Sequence, residues 1–321
     1  MRINPGLIGV ASAAAALAGR YTAGRNKAAD HEVRGLERRL TDLGEVESLT
    51  ILPLVERLTK GPGLRGEPGV SYLVRADDLT VLFDCGLGTG RPEPVLDANA
   101  RALQVSFDDL SGVVISHLHA DHVGGSRPMF RHTFSPGRDL SLPSSLPSFV
   151  PTEMTHPRAD VCVVSEPTVI GKGVAVLPPF LRMLFWGGLI AEQALIVNVR
   201  GRGLVLVSGC GHPAIEPVLA AAERVVDAPV HAVIGGLHLP VHPLGTRLIP
   251  QAVLGSPNWP WRPISEADAR EVIDAIAERA PALVAVSPHD STDWTMDAFA
   301  GVFGDRFRPV RVGEEIRIGP A

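Results

Sequence analysis

Apolar positions along this chain fall into short dense runs closed by Gly, Pro or Asp. From about Ser48 onward "LTILPLVE", "VSYLVRAD" and "LTVLFDCG" are three such runs, each with the length and β-branched content of a strand. The spacing then changes, and residues 95–104 ("VLDANARALQ") repeat their apolar positions at a helical period. "LSGVVISH" is a fourth strand, ending at His117. Residues 126–160 are rich in Pro and Ser and predict a loop. In "ALIVNVRGRGLVLVSGCGH" two apolar runs flank "RGRG", the pattern of a hairpin. A helix is predicted over "PAIEPVLAAAERVVDA", with Pro213 at its start, where a missing N–H costs least. Strand "HAVIGGLHL" leads into a loop at 239–263. A helix follows over "SEADAREVIDAIAERA", whose Ser265 and Asp268 have capping-box spacing. Strand "ALVAVSPHD", a short helix over 294–303 and strand "RPVRVGEEIRI" come last. Strands in runs, with helices interspersed and no regular βαβ alternation, predict an α+β fold of two sheets flanked by helices. The two long loops have the length of lids or binding loops.

The N-terminus has another character. Residues 7–19 ("LIGVASAAAALAG") are apolar and alanine-rich, preceded by Arg2 and followed by Arg20, Arg25 and Lys27. The stretch is too short to span a bilayer, which takes roughly 20 residues. Three readings are open: a helix packed on the body or lying on a membrane surface, a signal or anchor, and a disordered leader. Basic residues directly after the stretch fit a helix held on the cytoplasmic side. The expected division is residues 1–45 as this leader and 46–321 as one domain.

Charge and cysteines narrow the setting. A formal net charge of -5 without a dense Lys/Arg run argues against a nucleic-acid partner. Cys85, Cys162 and Cys210 are an odd, widely spaced set with no CxxC. They predict neither a disulfide framework nor a cysteine zinc finger, and fit a reducing, cytoplasmic compartment.

The chemistry concentrates in residues 113–125, "VVISHLHADHVGG", where His117, His119, Asp121 and His122 fall within six positions. His117 and His119 are two apart in an extended segment, so their rings project to the same side. Asp121 and His122 follow where the chain leaves the sheet. Imidazole with carboxylate suits zinc, iron or manganese. Four donors exceed what one tetrahedral site with an open position takes from one loop, whereas two ions about 3.5–4 Å apart use them all.

The loop "SHLHADHVGG" resembles the signature of the metallo-β-lactamase superfamily. More narrowly, "GVSYLVR", "TVLFDCG", "VVISHLHADHVGG", "GLVLVSGCGHPAIEPVL" and "HAVIGGLHL" resemble, in order, blocks of one of its branches. That branch includes an archaeal dihydropterin ribofuranosyl-aminobenzene phosphate synthase, and the resemblance spans residues 48–320. It implies a four-layer αββα sandwich with metals at one edge. It also implies that Asp84 in "LFDCG" orients ligands from behind, that His212 in "SGCGHP" completes the first metal's ligands, and that His289 in "AVSPHD" binds the second. Two departures stand out. Where the superfamily commonly has a bridging aspartate, this chain has Cys210, which reads either as a thiolate ligand or as a small buried filler. Where the branch ends its last histidine block with "CHCTG", this chain has "SPHDSTD", so the substrate side differs. His238 in "IGGLHL" is a pocket residue touching substrate or a late ligand, and the two glycines before it permit close backbone approach.

The expected function is that of a metal-dependent hydrolase. Two divalent ions, zinc first with iron or manganese as alternatives, would bridge a hydroxide oriented by Asp121. Its target is a small-molecule ester, lactone or phosphodiester, with Trp259 and Trp261 roofing the pocket from the 239–263 loop. The alternatives are a pterin-related synthase or transferase using the same metals, and a non-catalytic metal-binding protein. For the synthase, no P-loop or arginine cluster is evident to hold a phosphate. His31, His132, His156, His231 and His242 have no supporting context and read as ordinary polar residues.

Overall fold

Most strands of this protein are buried on both faces, which is why they read as unbroken apolar runs instead of alternating ones. The computed structural model describes all residues except 1–4, 32, 34, 91, 139–141, 243 and 245–247, and the side chains of 5–11 are likewise outside the description. Helix α1 (Pro5–Ala29) is followed by strands β1 (Leu49–Val55), β2 (Ser71–Ala76) and β3 (Leu79–Phe83), helix α2 (Val95–Ala102) and strand β4 (Gly112–Val114). Next come α3 (Ser126–Phe130), β5 (Leu146–Val150), β6 (Ala159–Val163), β7 (Thr168–Gly171) and β8 (Val174–Val176). Hairpin strands β9 (Phe180–Leu184) and β10 (Gly188–Glu192) precede β11 (Leu195–Val199) and β12 (Gly203–Ser208). The remainder is α4 (Ile215–Val226), β13 (Val230–Gly235), α5 (Ile249–Leu254), α6 (Glu266–Ala277), β14 (Leu283–Val286), α7 (Asp293–Phe303), β15 (Phe307–Pro309) and β16 (Ile316–Ile318).

Two seven-stranded sheets result, ordered β16-β1-β2-β3-β4-β5-β6 and β15-β14-β13-β12-β11-β8-β7, with β9 and β10 pairing separately. Strand alternation fixes the layers. On β12, Val205 and Val207 point inward to meet Val74 and Phe83 of the first sheet, while Leu204 and Leu206 point outward beneath Leu219 of α4 and Ile273 of α6. On the other side Leu73, Leu82 and Val113 pack outward against Val95 and Leu96 of α2. The order helix–sheet–sheet–helix is the αββα sandwich. Each fully buried Leu or Val in these layers stabilises the fold by about 1.5–3 kcal/mol.

Several local expectations change. The stretch 126–160 is not one loop but contains α3 and β5, and β6 through β10 follow it. β6 is a sheet edge whose residues are half-buried or exposed, so its "ADVCV" lacks the dense apolar signature of an inner strand. Regular βαβ alternation does occur: β12, β13, β14 and β15 are parallel, with α4, α6 and α7 as their crossovers. Pro213 lies outside α4, because Ala214 at its cap has φ +79°. The capping box of Ser265 and Asp268 on α6 is present in both directions.

Helix α1 lies along β9. A β-carbon at Gly24 would run into Met183, and Tyr21 is buried against Met183 and Phe185 while its hydroxyl donates to the Pro257 carbonyl. Among the described residues no helix is long and apolar enough to cross a membrane.

Candidate metal centre

The site assembles where parallel strands end. β3 runs into Asp84, β4 into Ser116 and His117, β12 into Cys210, β13 into His238 and β14 into His289. Ligand sites in open α/β sheets form beyond the carboxyl ends of strands. Here both sheets contribute to one edge.

Three groups of donors have their ligand atoms within 4.8 Å of one another: His117, His119 and His212; Asp121, His122, Cys210 and His289; and Cys210, His212 and His238. His212 belongs to the first and third groups and Cys210 to the second and third, so the set is continuous. The Cys210 Sγ lies 3.2 Å from His122 Nε2 and 3.2 Å from His289 Nε2. His117 Nε2 lies 3.1 Å from His119 Nδ1. The structure therefore brings together all seven residues expected from the sequence to face metals.

Behind them stands a layer of carboxylates and hydroxyls. Asp84 is fully buried and backward-bent at φ +60°, a conformation that needs a local reason in a non-glycine residue. That reason is its bonding: it accepts from the Ser116 N–H at 2.7 Å and the Ser116 hydroxyl at 2.6 Å, and lies 2.7 Å from His122 Nδ1. Such an arrangement fixes the ring and leaves Nε2 facing the site.

Other supports went unforeseen. Glu192 at the end of β10 accepts the backbone N–H groups of Cys210 (2.8 Å), Gly211 (2.7 Å) and His212 (2.9 Å), holding the loop that carries two donors. The Ser287 hydroxyl lies 2.6 Å from His289 Nδ1 and donates to buried Glu56, which also accepts from Tyr72 at 3.1 Å. Asp290 accepts the His238 N–H at 2.9 Å. A β-carbon on Gly236 would meet the Gly209 carbonyl, and one on Gly255 would meet the His238 ring, so both approaches require glycine.

We expect Glu192→Gln to lower metal affinity by about 10–100-fold, the usual effect of disturbing groups that hold ligands. It should also reduce the melting temperature of the metal-free protein, since bonds to a charged acceptor contribute about 1.5–3 kcal/mol each. Calorimetry with and without metal measures both. Unchanged values would remove Glu192 from the site's support.

Electrostatics favour neutral imidazoles over most of the cluster. Burial lowers the pKa of His119 to about 4, of His238 to about 4 and of His289 to about 3, and takes His117 and His212 well below the ordinary value. His122 differs: burial alone would discharge it, but Asp121 and Asp84 more than offset this and raise it to about 9. Burial opposes ionisation of Asp121, yet His122 and His289 outweigh it and hold the carboxyl below its usual range. Burial and the nearby Asp290 and Asp121 carboxylates push the Cys210 thiol well up.

The residues fit divalent metal. Both ring nitrogens of His212 are buried without a hydrogen-bond partner. An unmade bond at a buried polar atom costs about 1–3 kcal/mol, and a cation accepting their lone pairs removes part of that cost. Imidazole, carboxylate and thiol together form a donor set for first-row transition ions.

A cavity of about 460 Å³ opens over the cluster, lined by His119, Asp121, Cys210, His212 and His238 on its polar side. Leu87, Met129, Phe130, Pro250 and Leu254 supply its apolar wall. Trp259 and Trp261, expected as the roof, are not on it. Trp259 packs against Tyr21 and Phe185, and Trp261 stacks on Trp259 with ring centroids 5.0 Å apart. The roof of the 239–263 loop is instead α5, which puts Pro250 and Leu254 over the metal side.

Residues 64–137, which contain Asp84 and the whole histidine loop, match the family model of the metallo-beta-lactamase superfamily. The match covers that stretch, and the two sheets around it form the αββα sandwich of the superfamily's fold. It is 22% identical over 241 residues to the 7,8-dihydropterin-6-methyl-4-(beta-D-ribofuranosyl)-aminobenzene-5'-phosphate synthase of Methanocaldococcus jannaschii, covering 62% of this chain and 81% of the relative. It is 38% identical over 77 residues to the N-acyl homoserine lactonase AiiB of Agrobacterium fabrum, covering 18% of this chain and 28% of that one. Among solved structures, Tm1679, a metal-dependent hydrolase of the beta-lactamase superfamily, superposes with a TM-score of 0.59 at 22% identity over 84% of this chain and 99% of that one. The metallo-beta-lactamase fold protein YhfI from Bacillus subtilis gives 0.52 at 13% identity, with the same coverage of 84% and 99%. The likeness to these two is one of fold.

Proposed function

We propose that this chain is a hydrolase of small-molecule esters, lactones or phosphodiesters that works with two divalent ions, zinc first and iron or manganese as alternatives. The observation that carries this reading is the pair of adjacent donor groups, one of His117, His119 and His212 and one of Asp121, His122 and His289, with Cys210 beside both sets on the floor of a substrate-sized cavity. When bound, two such ions supply Lewis acidity and bring the pKa of a water toward neutrality.

The chain's own residues supply the rest. Asp121, kept ionised and lining the cavity, accepts a hydrogen bond from the attacking water and orients it. His238, neutral and lining the cavity, is placed to donate from its ring to a substrate oxygen. Leu87, Met129 and Leu254 bind the substrate's apolar part and exclude bulk water from the polar floor, where interactions strengthen in a lower dielectric.

A second reading, a pterin-related synthase using the same centre, is favoured by one observation: the similarity to the archaeal synthase runs over 81% of that relative. Products separate the two. A hydrolase incorporates one oxygen from isotopically labelled water into one product, whereas a synthase joins two substrates without doing so.

Elemental analysis after metal loading is expected to give close to two transition-metal ions per chain. A value of one would remove the dinuclear arrangement. A value of zero, with thermal stability indifferent to chelator, would remove the metal site. A panel of chromogenic esters, lactones and phosphodiesters then assigns the bond cleaved.

A further inference from the structure

The mouth of the cavity sits on an apolar end of the molecule, and we infer that this end docks on a lipid bilayer with anionic headgroups, from which an amphiphilic substrate enters the site. The substrate half of this inference rests on the hydrolase reading above; the docking half does not.

Large apolar side chains are left in water there. Phe130 is 79% exposed, Trp261 76%, Leu254 56%, Ile249 50% and Trp186 47%. Phe130 and Leu254 line the cavity itself, so the patch and its mouth are one surface. The turn between β9 and β10, which bears Trp186, is joined to the end of α5: the Phe185 N–H donates to the Ser256 carbonyl at 3.0 Å, and a β-carbon on Gly187 would lie 2.7 Å from the Leu254 carbonyl oxygen. Trp261 reaches α1 through Trp259, whose ring meets Tyr21 edge-on at 4.7 Å.

Helix α1 continues this surface. It runs antiparallel to β9, with Gly24 beside Met183 and Tyr21 beside Phe185, so its earlier turns extend past the hairpin tip. Residues 12–16 of that extension, "SAAAA", are exposed, and no charge occurs from residue 3 to residue 19. Monomeric soluble proteins rarely leave so much contiguous apolar surface open.

Charge selects a bilayer as the occupant. Asp121 on the cavity lining apart, the stretches at this end, residues 5–29, 122–138, 176–191 and 248–265, contain no Asp or Glu, although the chain holds 35 acidic residues against 30 basic ones. Arg20, Arg25, Arg127, Arg131 and Arg262 lie exposed in them, and none forms an ion pair among the described residues. Basic side chains interleaved with Trp and Leu match an anionic interface, where guanidinium groups meet phosphates and indole rings sit at headgroup depth. The arrangement is that of a protein lying on the membrane.

The test uses the metal-loaded full chain, co-sedimented with vesicles of phosphatidylcholine alone and of phosphatidylcholine with phosphatidylglycerol. Binding to the anionic vesicles, weakening as salt rises, is the expected result. The double variant Trp186→Ser, Leu189→Ser removes two exposed apolar groups at the hairpin tip without touching the core, and should bind vesicles about 10-fold less or weaker still. It should keep parental turnover of a water-soluble chromogenic ester and lose turnover of a vesicle-embedded long-chain ester. A folded parent that sediments with neither vesicle overturns the docking, even if soluble ester is hydrolysed. So does vesicle-free self-association that the double variant abolishes, which would assign the face to a second copy of the chain. Vesicle binding with no turnover of any ester would leave the docking standing and sink the substrate assignment with the hydrolase reading.

Discussion

Asp121→Ala and His289→Ala are each expected to lower kcat by on the order of 10³-fold, the scale of losing a positioned proton acceptor or a preorganised electrostatic contact in the transition state. Both residues belong to the donor group of Asp121, His122, Cys210 and His289, and Asp121 also lines the cavity. Removing either empties one half of the proposed centre while the other half, His117, His119 and His212, keeps its geometry. KM should change far less, because Leu87, Met129 and Leu254 on the apolar wall are untouched, and a loss confined to the transition state lowers kcat and kcat/KM together. Steady-state kinetics on the substrate identified by the panel, with metal content measured for each variant, makes the comparison. Parental turnover in both would mean that the chemistry happens elsewhere.

How much of this was legible beforehand depended on distance along the chain. His117, His119, Asp121 and His122 are neighbours in sequence, so their convergence needed only the geometry of a strand end. His212, His238 and His289 come from three different strand ends, and nothing local joins them; the resemblance of "SGCGHP", "IGGLHL" and "AVSPHD" to known blocks supplied their place. The layer behind them had no such aid. Glu192 ends a short hairpin strand in an unassigned stretch, and Glu56 follows β1 as an unremarkable acid, yet both are nearly or fully buried and bonded to the donor loops. A lone carboxylate after a strand more often caps or faces solvent, so pattern alone had no reason to choose them.

The tryptophans illustrate the opposite error. Trp259 and Trp261 sit in a long loop beside the site in sequence, and bulky aromatics in such a loop suggest a roof. The structure turns Trp259 toward Tyr21, because helix α1 offers it an apolar partner that the sequence does not announce. In the same way β6 and β7 were missed for being edges, and the second sheet's three crossovers were missed because the intervening long loop before α6 obscured their rhythm.

Cys210→Ser is expected to reduce metal affinity by about 10–100-fold or more, as disturbed metal shells typically do. A small filler would be surrounded by carbon. Instead the Cys210 sulfur has the ring nitrogens of His122 and His289 at 3.2 Å each, and shares donor groups with Asp121, His212 and His238. A neutral thiol is a weak partner for two imidazoles, and burial with nearby carboxylates keeps it protonated when no cation is present. A bound divalent ion reverses that balance, since a coordinating thiol loses its proton outright. Metal uptake should therefore release a proton from the wild-type sulfur that the serine variant does not release, visible as a difference in pH-dependent binding. Cobalt substitution gives the sharper readout: wild-type protein should show a thiolate-to-metal charge-transfer band, and Cys210→Ser should lack it. If the band is absent from wild type, and the variant merely shifts stability by about 1 kcal/mol with its metal content intact, Cys210 fills space between the histidines, and the group of Asp121, His122 and His289 shares no donor with the other two.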